Sequence, residues 1–215
     1  MDANTILQEL LPNQTALQNY IIAAYPIGSP GIANTWDQAA QIFTDYIFQC
    51  ACAAWANATA SVGIPAWRYY FNSSFYNEQA YPQLGVYHSS EIELVFGTYY
   101  TNGNATTQEY ALSNAMMGAW ARFAKNPMGG PGWNQVGTGT AGEVLVGAYI
   151  EEAGGQYMTA NGSILSGAWD LGVLGQRGNV MGGGVTVIDQ YEVDYRCGLW
   201  LPIYSAIQAL SDPSA

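Results

Sequence analysis

One histidine, His88, serves all 215 residues. Side-chain proton shuttling near neutral pH therefore falls to that imidazole or to nothing. Positive charge is almost as scarce: Arg68, Arg122, Lys125, Arg177 and Arg196 stand against 16 acidic residues, for a formal net charge of −11 and a pI near 4.1. Five scattered cations cannot form the clustered basic surface that nucleic acid or an anionic membrane requires, and both are set aside as partners. No run of 18 apolar residues is present, so no membrane span is expected. Met1-Asp2-Ala3-Asn4 opens with an acid and no apolar stretch, so no signal peptide is visible at this end.

Cysteine is also sparse. Three are present, so at most one intrachain bridge can form. Cys50 and Cys52 are too close for an ordinary bridge to each other, so Cys197 should pair with one of them. The loop so closed, about 145 residues, is worth roughly 4 to 5 kcal/mol by the chain-entropy argument. Three buried free thiols are the alternative. A zinc site is not expected, because Cys50 and Cys52 lack a second ligand cluster.

What the chain does have is apolar residues, 49% of it, and aromatics, 13%. That is enough for a globular core, and with no linker or repeat visible residues 1–215 read as one domain. Asn-x-Ser/Thr occurs at Asn13, Asn57, Asn72, Asn104 and Asn161, which would be glycosylation acceptors on a secretory route. Five such sites with one lysine and an acidic surface point to a secreted glycoprotein.

Periodicity and breakers predict helices over residues 5–12 and 15–25, then one over 36–48 with a continuation to Ser61. Trp67 to Phe71 reads as a short, buried, aromatic strand. Residues 90–96 read as a short helix with Glu91 and Glu93 in its first turn. Thr106 and Glu109 form a capping box opening a helix to about Lys125, whose stripe of Leu112, Met116, Met117, Trp120 and Phe123 reads as core. A glycine-rich loop over 128–142 and strands over 144–150 and 185–188 follow. The last helix is expected over 189–210, with Val193, Cys197, Trp200, Leu201 and Tyr204 on one face and a kink at Pro202.

The chemistry centres on Gly85-Val86-Tyr87-His88-Ser89-Ser90-Glu91-Ile92-Glu93. This run resembles the histidine loop of type-B carboxylesterases, the cholinesterase-like and fungal lipase-like α/β-hydrolases. Asp45 to Cys50, the strand at Trp67 to Phe71, Tyr81-Pro82, Trp120 to Pro127, and Arg196-Cys197 with Trp200 are similar to that family's segments in the same order. The resemblance implies an α/β fold, the C-terminal part of an α/β-hydrolase with an incomplete central sheet and packed helices. It also implies a Cys50–Cys197 bridge with Cys52 left over, His88 as the triad histidine, and Glu91 as its supporting neighbour.

A histidine base in acyl transfer needs a serine and a carboxylate, and in α/β-hydrolases the serine lies upstream on a Gly-x-Ser-x-Gly elbow. No such pentapeptide occurs here. Ser61 comes nearest, without the first glycine. Among the upstream acids Asp2, Glu9, Asp37, Asp45 and Glu78, none follows a strand. The expectation is the C-terminal fragment of a secreted serine carboxylesterase or lipase, inactive alone, with ester substrates only in the whole enzyme and no cofactor. The strand at 67–71 would leave a hydrophobic edge, and poor solubility is expected. The alternative is a non-catalytic secreted glycoprotein module that binds glycan or protein through its aromatics.

Overall fold

The computed structural model describes residues 2–82, 84–99, 104–137, 149–150, 156–158, 164–165, 169–175 and 185–211. Their elements are α1 (Ala3–Leu10), α2 (Thr15–Ala24), α3 (Thr35–Thr44), a π turn (Asp45–Gln49), α4 (Cys50–Ser61), β1 (Arg68–Phe71), α5 (Ile92–Phe96) and α6 (Thr107–Lys125). Then come β2 (Tyr149–Ile150), β3 (Gln156–Met158), β4 (Ile164–Leu165), β5 (Trp169–Leu174), β6 (Val185–Asp189), α7 (Tyr191–Asp194) and α8 (Cys197–Ser211). The chain divides into two compact units, residues 1–55 with 193–215, and residues 56–192.

The first unit is helical, and its helix starts follow from local chemistry. Asp2 accepts the Thr5 amide at 2.9 Å, which starts α1 two residues ahead of the expected position. Asn34 accepts the amides of Trp36 and Asp37 and opens α3. The predicted run over 36–48 is interrupted: five residues from Asp45 wind as a π turn before α4 resumes the helix.

The core of this unit gathers Leu7, Ile21, Ile42 and Trp200 around Tyr25, all fully buried. The Tyr25 hydroxyl donates to Asp45 Oδ2 at 2.8 Å and accepts from the Trp200 indole at 2.7 Å. Asp45 also takes Gln41 Nε2 and Arg196 Nε, each at 2.7 Å. The Arg196 guanidinium lies 5.3 Å from the centre of the Tyr25 ring, within cation–π range. Cys50 and Cys197 are bridged beside this network, both buried, and Cys52 is a free, exposed thiol.

The single helix expected over 189–210 is two. β6 runs through Asp189, α7 ends at Asp194, and α8 begins at Cys197. The break frees Arg196 to turn its side chain to Asp45 instead of following a helical face. Cys197, Trp200 and Ile203 are the buried positions of α8, while Leu201 is exposed. Pro202 lies within α8.

Burial first, and then the Asp45 charge, push the Tyr25 phenol above its ordinary value of 10.0. A group whose folded pKa is raised contributes stability that is complete below its unfolded pKa and is lost above it. The unit should therefore weaken from pH 10 upward, by about 1.4 kcal/mol per pH unit for this phenol. Near-UV circular dichroism of the Trp200 environment during alkaline titration checks this. A melting midpoint unchanged between pH 9 and pH 12 in that signal would contradict it.

In residues 56–192, β1 pairs in parallel with β5 (Arg68 with Leu171 through Phe71 with Leu174), and β5 pairs antiparallel with β6. The small sheet thus runs β1-β5-β6, and β2-β3-β4 form a separate antiparallel set. A parallel neighbour for β1 inside this chain was not part of the sequence expectation. β1 is also less buried than its aromatic run suggests: Arg68 is buried, Tyr69 is exposed, and Tyr70 and Phe71 are half-buried. The Arg68 guanidinium donates to Gln190 at 2.9 Å, and its carbonyl accepts from the Trp133 indole at 2.7 Å.

Leu94, Leu112, Met116, Ala119, Trp133 and Leu174 form this unit's main core. The expected α6 stripe is split. Leu112 and Met116 are core, Trp120 is half-buried, and Met117 and Phe123 are exposed. The capping box is present as predicted, with Glu109 fully buried and accepting from the Thr106 amide and from Asn77 at 2.8 Å. Strand residues 144–148, loop residues 138–142 and Asn161 lie outside the described residues.

Candidate functional site

The candidate site is the turn between β1 and α5. Gly85 enters it at φ +74°, a conformation that glycine takes without the steric cost of a side chain. Gln79 clamps that glycine from both sides, its amide donating to the Gly85 carbonyl at 2.9 Å and accepting the Gly85 N–H at 2.7 Å. Tyr87 is anchored as well, its hydroxyl donating to the Glu78 carbonyl at 2.6 Å.

The chain then reverses around His88. The Ser90 amide donates to the Tyr87 carbonyl at 3.0 Å and the Ile92 amide to the Ser89 carbonyl at 3.2 Å. Ser89 sits at φ +74°, a left-handed conformation that costs a non-glycine residue on the order of 1 kcal/mol. His88 is exposed at this turn. A strained residue after an exposed imidazole, in a turn pinned on both flanks, fixes where that imidazole leaves the surface.

Glu91 occupies the N-cap position of α5 but makes no side-chain cap. Its carboxylate instead accepts from the Tyr69 hydroxyl of β1 at 3.3 Å, tying the strand to the turn. α5 ends at Gly97, at φ +67°, and the Leu94 carbonyl is held by the buried Ser113 hydroxyl at 2.7 Å.

The other candidates serve local structure. Ser61 donates its hydroxyl to the Ala58 carbonyl at 2.7 Å at the end of α4, far from a nucleophile's elbow geometry. Asp2 caps α1, Asp37 accepts from the Ala33 amide and the Asn34 side chain at the start of α3, and Asp45 is held in its ion pair. The carboxylate of Glu78 accepts from Asn77 at 3.1 Å. Among the described residues no three histidine, cysteine, aspartate or glutamate side chains form a metal-binding group, and no helix is long and apolar enough to cross a membrane. Asn13, Asn57, Asn72 and Asn104 are all exposed. The sequence reading missed Gln79, Tyr87 and Tyr69, the three side chains that hold the turn; only the glycine at position 85 hinted at it.

A parallel strand pair, a pinned histidine turn and a helix opened by a capping box make an α/β arrangement. Residues 3–153 match the sequence model of the carboxylesterase family, and the chain belongs to that family. Its fold is accordingly that of an α/β-hydrolase, with an incomplete central sheet.

The chain is similar to the chlorogenic acid esterase of Aspergillus niger, 34% identical over 89 residues, 41% of this chain and 17% of that protein. It resembles secreted lipase 5 of Gibberella zeae, 35% identical over 88 residues, 40% of this chain and 16% of that one. Acetylcholinesterase 1 of Caenorhabditis elegans is 32% identical over 143 residues, 62% and 23% of the respective lengths. The chain spans less than a quarter of the length of each of these relatives.

Proposed function

We propose that residues 1–215 are one partial domain, the C-terminal part of a secreted serine carboxylic-ester hydrolase, and that His88 is its triad imidazole. His88 would take the proton of a serine as it attacks an ester carbonyl, then return it to the leaving alcohol. Glu91, bonded to Tyr69 of β1, would steady the turn and is not the triad acid. The reading rests on one observation above others. The only histidine of the chain is exposed on a turn held by Gln79, Tyr87 and a left-handed Ser89.

Secretion and glycosylation are supported by the exposed asparagines of four acceptor motifs and by the secreted relative. Ester substrates follow from the family. The serine, the acid and the oxyanion donors would come from sequence outside these 215 residues, so the chain alone should not turn over esters.

The test is a p-nitrophenyl ester assay with fluorophosphonate labelling. No hydrolysis above buffer and no labelled serine are expected from the chain by itself. A fluorophosphonate-labelled serine within 1–215, with turnover that the label blocks, would overturn the fragment reading.

A further inference from the structure

Residues 56–192 contain a second feature beside the turn that carries His88. Trp67 and Tyr69 of β1 and its approach, Trp120 and Phe123 of α6, and Pro131 and Trp133 of the following loop line a half-open cleft of about 190 Å³. For scale, a 150 Å³ apolar cavity accommodates a benzene ring.

The walls are fixed by contacts made outside the cleft. The Trp133 indole is held by the Arg68 carbonyl at 2.7 Å, and the Pro131 carbonyl by Arg122 Nε at 2.9 Å. Gly130, at φ +71°, lets the loop lie against Trp67, where an added Cβ would come within 2.4 Å of the indole. The rings already meet in edge-to-face pairs, Trp67 with Phe123 at 5.8 Å and Tyr69 with Trp120 at 5.0 Å. That is the geometry by which one more ring would be received.

The chemistry of the lining selects the occupant. None of the six side chains is an acid, a lysine, an arginine or a histidine, so the lining itself offers a charged group no partner for the water it gives up. The Trp133 N–H and the Tyr69 O–H are engaged elsewhere, which leaves little to hydrogen-bond a polar ligand. Tyr69 is also shared: its ring is cleft wall, and its hydroxyl holds Glu91, three residues beyond His88.

We propose that this cleft is a binding site for one neutral aromatic ring, and that Tyr69 transmits its occupancy to the turn carrying His88. The proposal does not rest on ester hydrolysis and stands whether or not His88 is catalytic.

Titration of the 215-residue chain with toluene tests it, read by tryptophan fluorescence and by the imidazole Hε1–Cε1 NMR signal, which is single because there is one histidine. Saturable binding is expected, tighter than that of methylcyclohexane by about two- to tenfold, the ring-on-ring increment. Benzoate should not compete. Phe123→Ala, at an exposed position, should weaken toluene by about the same factor with the far-UV spectrum unchanged. Tyr69→Phe should keep the toluene affinity and abolish the shift of the His88 signal.

Non-saturable binding, equal affinity for methylcyclohexane, competition by benzoate, or indifference to Phe123→Ala would overturn the site. A His88 shift that persists in Tyr69→Phe would overturn the link.

Discussion

Replacing Cys197 by serine is expected to destabilise the unit formed by residues 1–55 and 193–215 by roughly 5 kcal/mol. The unit is assembled from two stretches of chain, and the bridge joins positions 147 residues apart. Closing so long a loop without the bond carries most of that entropy, because the loop-closure cost grows with the logarithm of length. A serine at either position also leaves a hydroxyl in a core where Cys50 and Cys197 are buried.

The loss should lower the melting midpoint of this unit by about 20–40 °C, followed by near-UV circular dichroism. Cys52→Ser is the matched control: its thiol is free and exposed, and the midpoint should not move. A thiol count of one in the unreduced protein accompanies this expectation. If Cys197→Ser melts with the parent, the ion pair and the Tyr25–Trp200 hydrogen bond are holding the two stretches together without the bridge.

Where the sequence was legible, the signal was local. The Thr106–Glu109 box announces α6 because both partners lie within one turn, and each satisfies an amide that would otherwise lack a partner. The α2 boundary follows from Tyr25-Pro26, since proline restricts the residue before it. His88 stood out as the single histidine and through the resemblance of the run around it.

What stayed hidden depends on distant partners. β1 pairs with β5 a hundred residues later, and Gly172 within β5 blurs the strand pattern on which such a reading relies. The division of the α6 stripe could not be read either, because helical spacing places Leu112, Met116 and Phe123 on one stripe without saying which positions the rest of the chain covers. The Tyr195–Arg196 break has no proline or glycine to mark it. At that break Arg196 reaches an aspartate 151 positions earlier, a partner no local pattern points to. At the turn, Ser89 takes a left-handed conformation that serine rarely adopts, so the residue type gave no warning.

Asp45→Ala should cost about 3 kcal/mol, the lower end of the range for breaking a buried ion pair by removing one partner. The lower end applies because the Arg196 side chain keeps 18% of its exposure, against 3% for Asp45, so water can partly resolvate the orphaned cation. Three donors lose their acceptor at once: Tyr25, Gln41 and Arg196. Arg196 is held protonated against the opposing effect of burial by its hydrogen bond to Asp45 and by that carboxylate's charge. Deprotonation gives it no escape, since guanidinium stays charged in proteins. The remaining route is local opening of the turn at 195–196.

The double variant Asp45→Ala with Arg196→Met separates charge from packing. Removing both ions relieves the unpaired guanidinium, so the pair of substitutions should be less damaging than Asp45→Ala alone, and the loss in the double variant should fall short of the sum of the two single losses. Thermal melting of the four proteins gives that shortfall directly. Additive losses would mean that the two side chains act independently, and that the Tyr25–Trp200 bond and the bridge carry this corner of the core.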